Sequence, residues 1–524
     1  MPRSDALIVD LETTTPGPKP DFRVDTVTQV GWLPLDGDVA QWAECLCPLP
    51  EMDTIICHNA PYDVGLLYPL RGEGIGDPYA QTWLRNLNIH DTMALAYCAG
   101  AEDLSLPKQV SWKQRDAIGE EQYLAQDLFE TRDYFNRLMS KNEGTAYEVD
   151  RRLIPALIDC SYRGYEIDQD RLEQAIWEAA RTCNLQRGLF NRLVEGEEVL
   201  ISRRKKTTKA RGVEYVEKHG PPDIGSPIQL ARMFGLSNAD VGSMKAMAGD
   251  LRADSILTWR GAAKLFTTYY MPHRGRDRMS GLFNITPPEE GEGGATTGRL
   301  SSERPNMQNQ TPLMQRCLRA PDGYLLRRGD FPQLELRCAA QISQDPVMLE
   351  ALNDPNRDLH QEAADRLFNG DRQRGKVFNF KELYIAGEQV RAMYPRWYDW
   401  CEEHWFEVQR TGVSVVPEPL LHKRAIPLLM QDHARRQAIN HPPQGLAGYI
   451  MKDALAVMFE HGFQLVNQIH DAGHDYVPED GDRDLQKEAM SSIMTEVAWK
   501  YLPDVGATVR PEDIKISKYW SDEE

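Results

Sequence analysis

Asp10 and Glu12 close the apolar run that begins at Ala6, and two carboxylates two residues apart on a strand leave the same face. Such a pair at a strand end suits a shared divalent cation. Further along, Asn59-Ala-Pro-Tyr-Asp63 adds a third acid, and Tyr123-Leu-Ala-Gln-Asp127 sets a phenol and a fourth carboxylate one helical turn apart. Asp10, Glu12, Asp63 and Asp127 together could hold two metal ions about 4 Å apart, an arrangement that activates a water and stabilises the leaving oxygen of a phosphodiester. Tyr123 would orient that water.

A second set lies in the C-terminal half. Asp330 ends an apolar strand in Asp330-Phe-Pro-Gln-Leu-Glu-Leu-Arg337, and Gln468-Ile-His-Asp-Ala-Gly-His-Asp475 follows a segment, 464–469, that alternates like a half-buried strand. Alone, the second segment fits a metal-binding turn, the tip of a catalytic hairpin or a polar loop. With Asp330 beside it, Asp471 becomes the second carboxylate of a two-metal site, suited to in-line attack of a hydroxyl on a triphosphate. Arg372, Lys376, Phe380 and Tyr384 recur every fourth residue. On a helix each such step drifts by only about 40°, so the four form one slowly winding face, with two cations for phosphates and two aromatics for sugar and base.

These residues need elements to carry them. The 524 residues suit two to four domains, and 41% hydrophobic with 27% charged residues is ordinary globular composition. Helix-like and strand-like segments alternate to about residue 145, as in an α/β domain with a mixed sheet. A helical pattern follows from Glu148 to about Arg181, broken by Gly164-Tyr-Glu-Ile-Asp168. A polar, Lys/Arg-rich region runs to about 280, and the acidic stretch Pro287–Gly294 reads as a loop. Strands are expected near 325, near 340 and over 465–478, with 346–440 mainly helical. The net charge of −19 is unfavourable for phosphate binding on average, but clustered carboxylates lower that sum, and the tract Arg203–Arg211 is locally basic. Nine cysteines without a Cys-x-x-Cys pair read as free thiols, against a disulfide framework or structural zinc. No apolar run is long enough for a membrane span, and Met1-Pro-Arg-Ser-Asp5 lacks a signal-peptide core, so no membrane and a cytoplasmic location are expected.

The first motif set resembles the 3'-5' exonuclease domains of the DEDD type with a tyrosine in the third motif. Taken with Thr297-Gly-Arg-Leu-Ser-Ser302, Pro305-Asn-Met-Gln-Asn309, Gly225–Leu230, Ala263-Lys-Leu265 and Arg436-Gln-Ala-Ile-Asn440 before Gln444-Gly445, the chain from Ala6 to about Lys518 resembles the family A DNA polymerases. The resemblance implies a multidomain α/β and α+β fold. A ribonuclease H-like exonuclease domain over 1–147 would precede a right-hand polymerase over 148–524, with palm 148–170, 286–345 and 441–524, thumb 171–285 and fingers 346–440. It implies template-directed DNA synthesis with proofreading. Magnesium is the implied cofactor, two ions per active site, with manganese as the alternative. Primer-template DNA and deoxynucleoside triphosphates are the implied partners of a monomer. By the same resemblance Lys376 joins the catalytic aspartates, Gln333 the nucleotide contacts, and Arg299, Asn306, Gln308, Arg436, Asn440, Gln444 and His470 touch primer or template. Glu335 would block a ribose 2'-hydroxyl, and Phe380 would govern sugar discrimination.

Several positions depart from that family's pattern. Pro332 follows the first catalytic aspartate where a small hydroxyl residue is usual, Lys381 and Ile385 replace glycines, and Ala472 replaces a glutamate. Asp475, in the same loop, is the nearest carboxylate to substitute. The start of the chain at the first strand, with no 5'-nuclease segment, together with a compact thumb, leads to the expectation of a phage-type replicase working in a bacterial cytoplasm. Two rivals stand beside this reading: an exonuclease with a degenerate nucleic-acid-binding C-terminal half, and a single-subunit RNA polymerase, which would need neither the Glu335 gate nor proofreading.

Overall fold

The computed structural model describes residues 6–15, 20–44, 52–70, 77–101, 103–106, 119–208, 212–287 and 295–521. The segments Met1–Asp5 and 288–294, read above as a leaderless start and an acidic loop, lie outside the described residues. The chain forms two compact units, one of Met1–Tyr165, Ser280–Asn309 and Ala320–Lys518, the other of Glu166–Met279, Gln310–Arg319 and Tyr519–Glu524.

In the first unit, β1 (Leu7–Thr14), β2 (Thr26–Pro34), β3 (Gln41–Glu44), β4 (Thr54–Cys57) and β5 (Asn88–Asp91) make a five-stranded sheet in the order β3-β2-β1-β4-β5. β1 pairs antiparallel with β2 and parallel with β4, so the expected mixed sheet is present. As the central strand, β1 buries Leu7, Ile8, Val9 and Leu11 in succession, which is why its sequence is apolar almost without alternation. Around it stand α1 (Ala60–Leu67), α2 (Pro78–Asn86), α3 (Thr92–Cys98) and α4 (Glu120–Met139).

α5 (Ala146–Arg163) is followed by Gly164, whose positive φ of 52° ends the helix without a Cβ penalty. It joins that sheet to a second one. At its start the Tyr147 hydroxyl meets His90 Nδ1 at 3.0 Å and accepts the Asp91 N–H at 3.2 Å. At its end Arg163 donates to Gln464 Oε1 at 2.9 Å. The second sheet is built from β6 (Tyr324–Asp330), β7 (Gln464–Ile469), β8 (Ala472–Pro478) and β9 (Lys515–Ser517), in the order β7-β8-β6-β9 and antiparallel throughout. Its register sets Asp330 opposite Ala472 and Arg327 opposite Asp475.

Residues near 340 form not a strand but α6 (Leu334–Ser343). Leu334-Glu-Leu-Arg-Cys alternates in the manner of a strand, yet Leu, Glu, Arg and Ala are strong helix formers, and burial of Leu336, Ala339, Ala340 and Ser343 follows the helical period. Then come α7 (Arg372–Val377), α8 (Pro395–Thr411), α9 (Gln431–Glu460) and α10 (Arg483–Tyr501).

α9 continues through Pro442 and Pro443, and past them it turns glycines toward its neighbours. A Cβ on Gly445 would sit 2.5 Å from Val416 Cγ2 and 3.0 Å from the Thr297 carbonyl; one on Gly448 would sit 3.2 Å from Arg299 Cγ. The backbone at 297–299 therefore lies directly against the helix, an approach that only glycine permits.

The second unit rests on the helix Gln169–Leu193, which Asp168 caps by accepting the Arg171 N–H at 3.0 Å. Phe190, Val194, Ile224, Leu230, Met244 and Ile256 form its core. The basic tract from Arg203 falls on a hairpin of Val199–Thr208 with Gly212–Gly220, an element that the density of charge had hidden; residues 209–211 lie outside the described residues. No helix among the described residues is long and apolar enough to cross a membrane. The seven cysteines described are free thiols, six of them buried.

Candidate active site

Asp330 ends β6, and Asp471 occupies the turn between β7 and β8. The Phe331 N–H donates to the Asp471 carbonyl at 3.1 Å, which ties the strand end to that turn. The two aspartates come together with Glu335 in the first turn of α6, Arg299 on the chain beside α9, and Tyr384. The Tyr384 hydroxyl donates to Glu335 Oε2 at 2.6 Å. The Arg299 guanidinium bonds Glu335 and lies 3.8 Å from Asp471 Oδ1.

Burial pushes the Asp471 carboxyl up to about 7; Arg299 opposes this, while Glu335 and Asp330 add to it. Desolvation likewise raises Asp330, with exposed His470 pulling it down. Burial and then Glu335 hold the Tyr384 hydroxyl protonated. Asp330, Asp471 and Glu335, the last two beside Arg299, offer hard oxygens whose mutual repulsion a divalent cation would relieve. As they stand, the described residues contain no group of three or more His, Cys, Asp or Glu already gathered as a metal cage.

The four-residue stripe is not one continuous α-helix. After α7 the backbone widens into a π turn over Phe378–Glu382, where the Leu383 N–H donates to the Phe378 carbonyl. A wider turn winds less per residue, so it cancels the drift that four-residue spacing accumulates on an α-helix. Among the described residues only Tyr384 of the stripe touches the carboxylate cluster. Arg372 is paired with Asp358 at 2.8 Å; Lys376 sits 5.9 Å from the ring of Phe380; Phe380 is 43% exposed against His360.

The residues read as DNA contacts divide into anchored and open ones. Gln308 donates to Gln468 Oε1 at 2.6 Å, and Gln468 in turn donates to the His470 carbonyl, which braces the Asp471 turn. Asn306 accepts the N–H groups of Gln308 and Asn309 and so shapes its own turn. Arg436, Asn440 and Gln444 recur every fourth residue along α9; Arg436 is exposed, and Asn440 Oδ1 is buried with no hydrogen-bond partner among the described residues. Gln333 stands before α6 at a φ of 52°, its Oε1 likewise buried and unpartnered. Asp475 does not stand in for the acid missing at 472. Its carboxylate is fully buried and bidentate with Arg327 at 2.9 and 2.6 Å.

In the N-terminal sheet, Asp10 and Glu12 lie on β1, Asp63 on α1, and Tyr123 and Asp127, both buried, on α4. Burial, followed by the charges of Asp10 and Asp91, drives Asp63 well above the ordinary carboxylate range, which places Asp10 and Asp63 close together. Asp91 went unread in the sequence. It caps α3 through Met93 and Ala94 and also accepts the Ala60 N–H at 2.9 Å, fixing the start of the helix that carries Asp63. Asp91 before Thr92-Met-Ala-Leu-Ala is an N-cap pattern that sequence alone could have supplied.

The four-stranded antiparallel sheet thus offers two aspartates from neighbouring strand ends. Over 99% of its length the chain matches 96% of the POL domain of Pol1 from M. smegmatis, solved in complex with DNA primer-template and dNTP, at a TM-score of 0.70 and 19% identity. Residues 233–394 match the profile of DNA polymerase family A. The thermostable DNA polymerase I of Thermus filiformis is 28% identical over 422 residues, 70% of this chain and 48% of the relative; that of Thermus aquaticus is 31% identical over 266 residues, 42% and 31%. DNA polymerase I of Bacillus subtilis is 27% identical over 361 residues, 59% and 38%. The chain thus spans at most about half the length of these relatives. Its sequence over residues 233–394 is similar to DNA polymerase family A, and its fold to that of a polymerase domain.

Proposed function

We propose that the protein is a template-directed DNA polymerase with a 3'-5' proofreading site. The observation that carries this reading is the meeting of Asp330 and Asp471 at adjacent strand ends, with Glu335, Arg299 and Tyr384 around them. Residues 1–147 would form the ribonuclease H-like exonuclease part. Palm (148–170, 286–345, 441–524), thumb (171–285) and fingers (346–440) would make the rest.

Magnesium or manganese ions held by Asp330 and Asp471 would supply Lewis-acid stabilisation of the attacking and leaving oxygens. Lys376 and Arg372 face phosphate; Phe380 and Tyr384 carry sugar and base. The bond from Tyr384 to Glu335 stands the carboxylate against the sugar's 2' side, where a hydroxyl would meet both bulk and charge. Arg436, Asn440, Gln444 and His470 follow primer and template, and the basic hairpin grips duplex backbone without reading sequence. Asp10, Glu12, Asp63 and Asp127 would hold the hydrolytic ions, with Tyr123 placing the water.

A primed-template assay with magnesium and four deoxynucleotides tests the reading. Template-dependent extension is the expected result. Degradation without extension under every metal and nucleotide condition would favour the exonuclease with a degenerate C-terminal half, to which Ala472 and the locked Asp475 would then point. In the same assay Glu335→Ala is expected to raise ribonucleotide use relative to deoxynucleotide by roughly tenfold or more, since a lost steric and polar contact is worth about 1–3 kcal/mol. An unchanged ratio, measured by single-nucleotide kinetics, would remove Glu335 from that role.

A further inference from the structure

Arg299 contacts both Glu335 and Asp471, yet it lies on an irregular stretch, and something must hold that stretch in place. Two surfaces do so. On one side are the glycines of α9, against which the backbone of 297–299 lies directly. On the other is Tyr97, from α3 of the N-terminal sheet's shell. Its buried hydroxyl accepts the Gly298 N–H at 3.0 Å and donates to the Ala295 carbonyl at 3.5 Å. Its ring meets His422 edge-on at 4.7 Å, so the hydroxyl has little freedom to swing away. Gly298 itself has a φ of 86°, and a Cβ there would lie 3.0 Å from the Tyr449 ring.

The neighbouring residue fixes the helix that carries Tyr97. Cys98 donates to Asp150 Oδ2 at 3.2 Å; the same oxygen accepts from the Tyr449 hydroxyl at 3.0 Å, and Asp150 Oδ1 takes Lys452 Nζ at 2.6 Å. The strut from α3 to the 295–299 segment is therefore anchored at its base in a buried polar cluster.

We propose that Tyr97 is a positioning residue for nucleotide incorporation, acting through Arg299, so that the region read as proofreading machinery supplies part of the framework of the synthesis site. This rests on the polymerase reading above. Tyr97 touches neither of the catalytic aspartates. It fixes the backbone from which Arg299 reaches Glu335 and Asp471.

Tyr97→Phe keeps the ring and removes the acceptor, leaving the Gly298 N–H buried without a partner. Single-nucleotide incorporation on a primed template is expected to fall about tenfold in kcat/KM. On an Arg299→Ala background the same change is expected to alter incorporation less than twofold, because the group through which it acts is gone. Equal losses in both backgrounds, or unaltered incorporation in Tyr97→Phe, would overturn the proposal. Hydrogen exchange gives a second readout that is independent of activity. Amides of residues 295–300 should exchange faster in Tyr97→Phe while those of α9 are unchanged, and unaltered exchange at 295–300 would overturn the mechanical tie. Failure of the wild type to extend a primer at all would instead remove the polymerase reading, with the exchange result still deciding the contact between Tyr97 and Gly298.

Discussion

Asp471→Ala is expected to abolish primer extension, a loss on the order of 10³-fold or more, because the variant removes one of the two carboxylates proposed to hold the metal ions. The turn should keep its shape, since its tie to Phe331 runs through the Asp471 carbonyl rather than its side chain. Removing the carboxylate also relieves the repulsion it shares with Glu335 and Asp330, so stability should not suffer. Asp10→Ala provides the complementary result: primer degradation lost, extension retained. Gel-resolved products from the wild type and the two variants, on one primed template, give the comparison. Wild-type extension by Asp471→Ala would end its assignment as a metal ligand, and loss of both activities in either variant would show that the two sites are not independent.

The second large effect concerns stability. Lys452 and Asp150 pair at 2.6 Å with side chains 1% and 0% exposed. Lys452→Met would leave a buried carboxylate whose remaining donors, among the described residues, are the neutral Tyr449 and Cys98, and breaking such a pair costs about 3–5 kcal/mol. Chemical denaturation should register the loss. The double variant Lys452→Met with Asp150→Leu should be less destabilised than Lys452→Met alone, because no uncompensated charge remains. A denaturation midpoint for Lys452→Met equal to that of the wild type would show that Asp150 is not stranded by the change.

How far the sequence reveals these arrangements depends on the range of the interaction. Asp330 could be placed from the sequence because it ends a strand whose apolar run announces itself, and Asp471 because a hairpin pattern surrounds it, whereas Asp10 and Glu12, expected at a strand end, lie within β1, which runs on to Thr14. Tyr384 was expected beside sugar and base from its spacing together with the neighbouring motifs, but the π turn that brings it to Glu335 leaves no periodic trace. α6 was misread because five alternating residues satisfy a strand and a helix equally. Asp475 looked available since nothing in the chain marks Arg327, 148 residues earlier, as its partner. Tyr97 and the cluster of Asp150 with Lys452 were invisible for the same reason: contacts across 201 and 302 residues have no local signature.

α5 gives the first unit a property that a map of its functions would not suggest. Its Tyr147 grips β5, its Arg163 grips β7, and between them Arg152 bonds Asp453 at 2.9 Å and Glu460 at 2.8 Å on α9. The two sheets thus share one spine, to which each is tied by side-chain hydrogen bonds. On heating they should melt as a single cooperative block, with slowly exchanging amides in β1 and in β6 released at the same free energy. A cut between residues 147 and 148, the boundary proposed between exonuclease and polymerase parts, would fall within one compact unit.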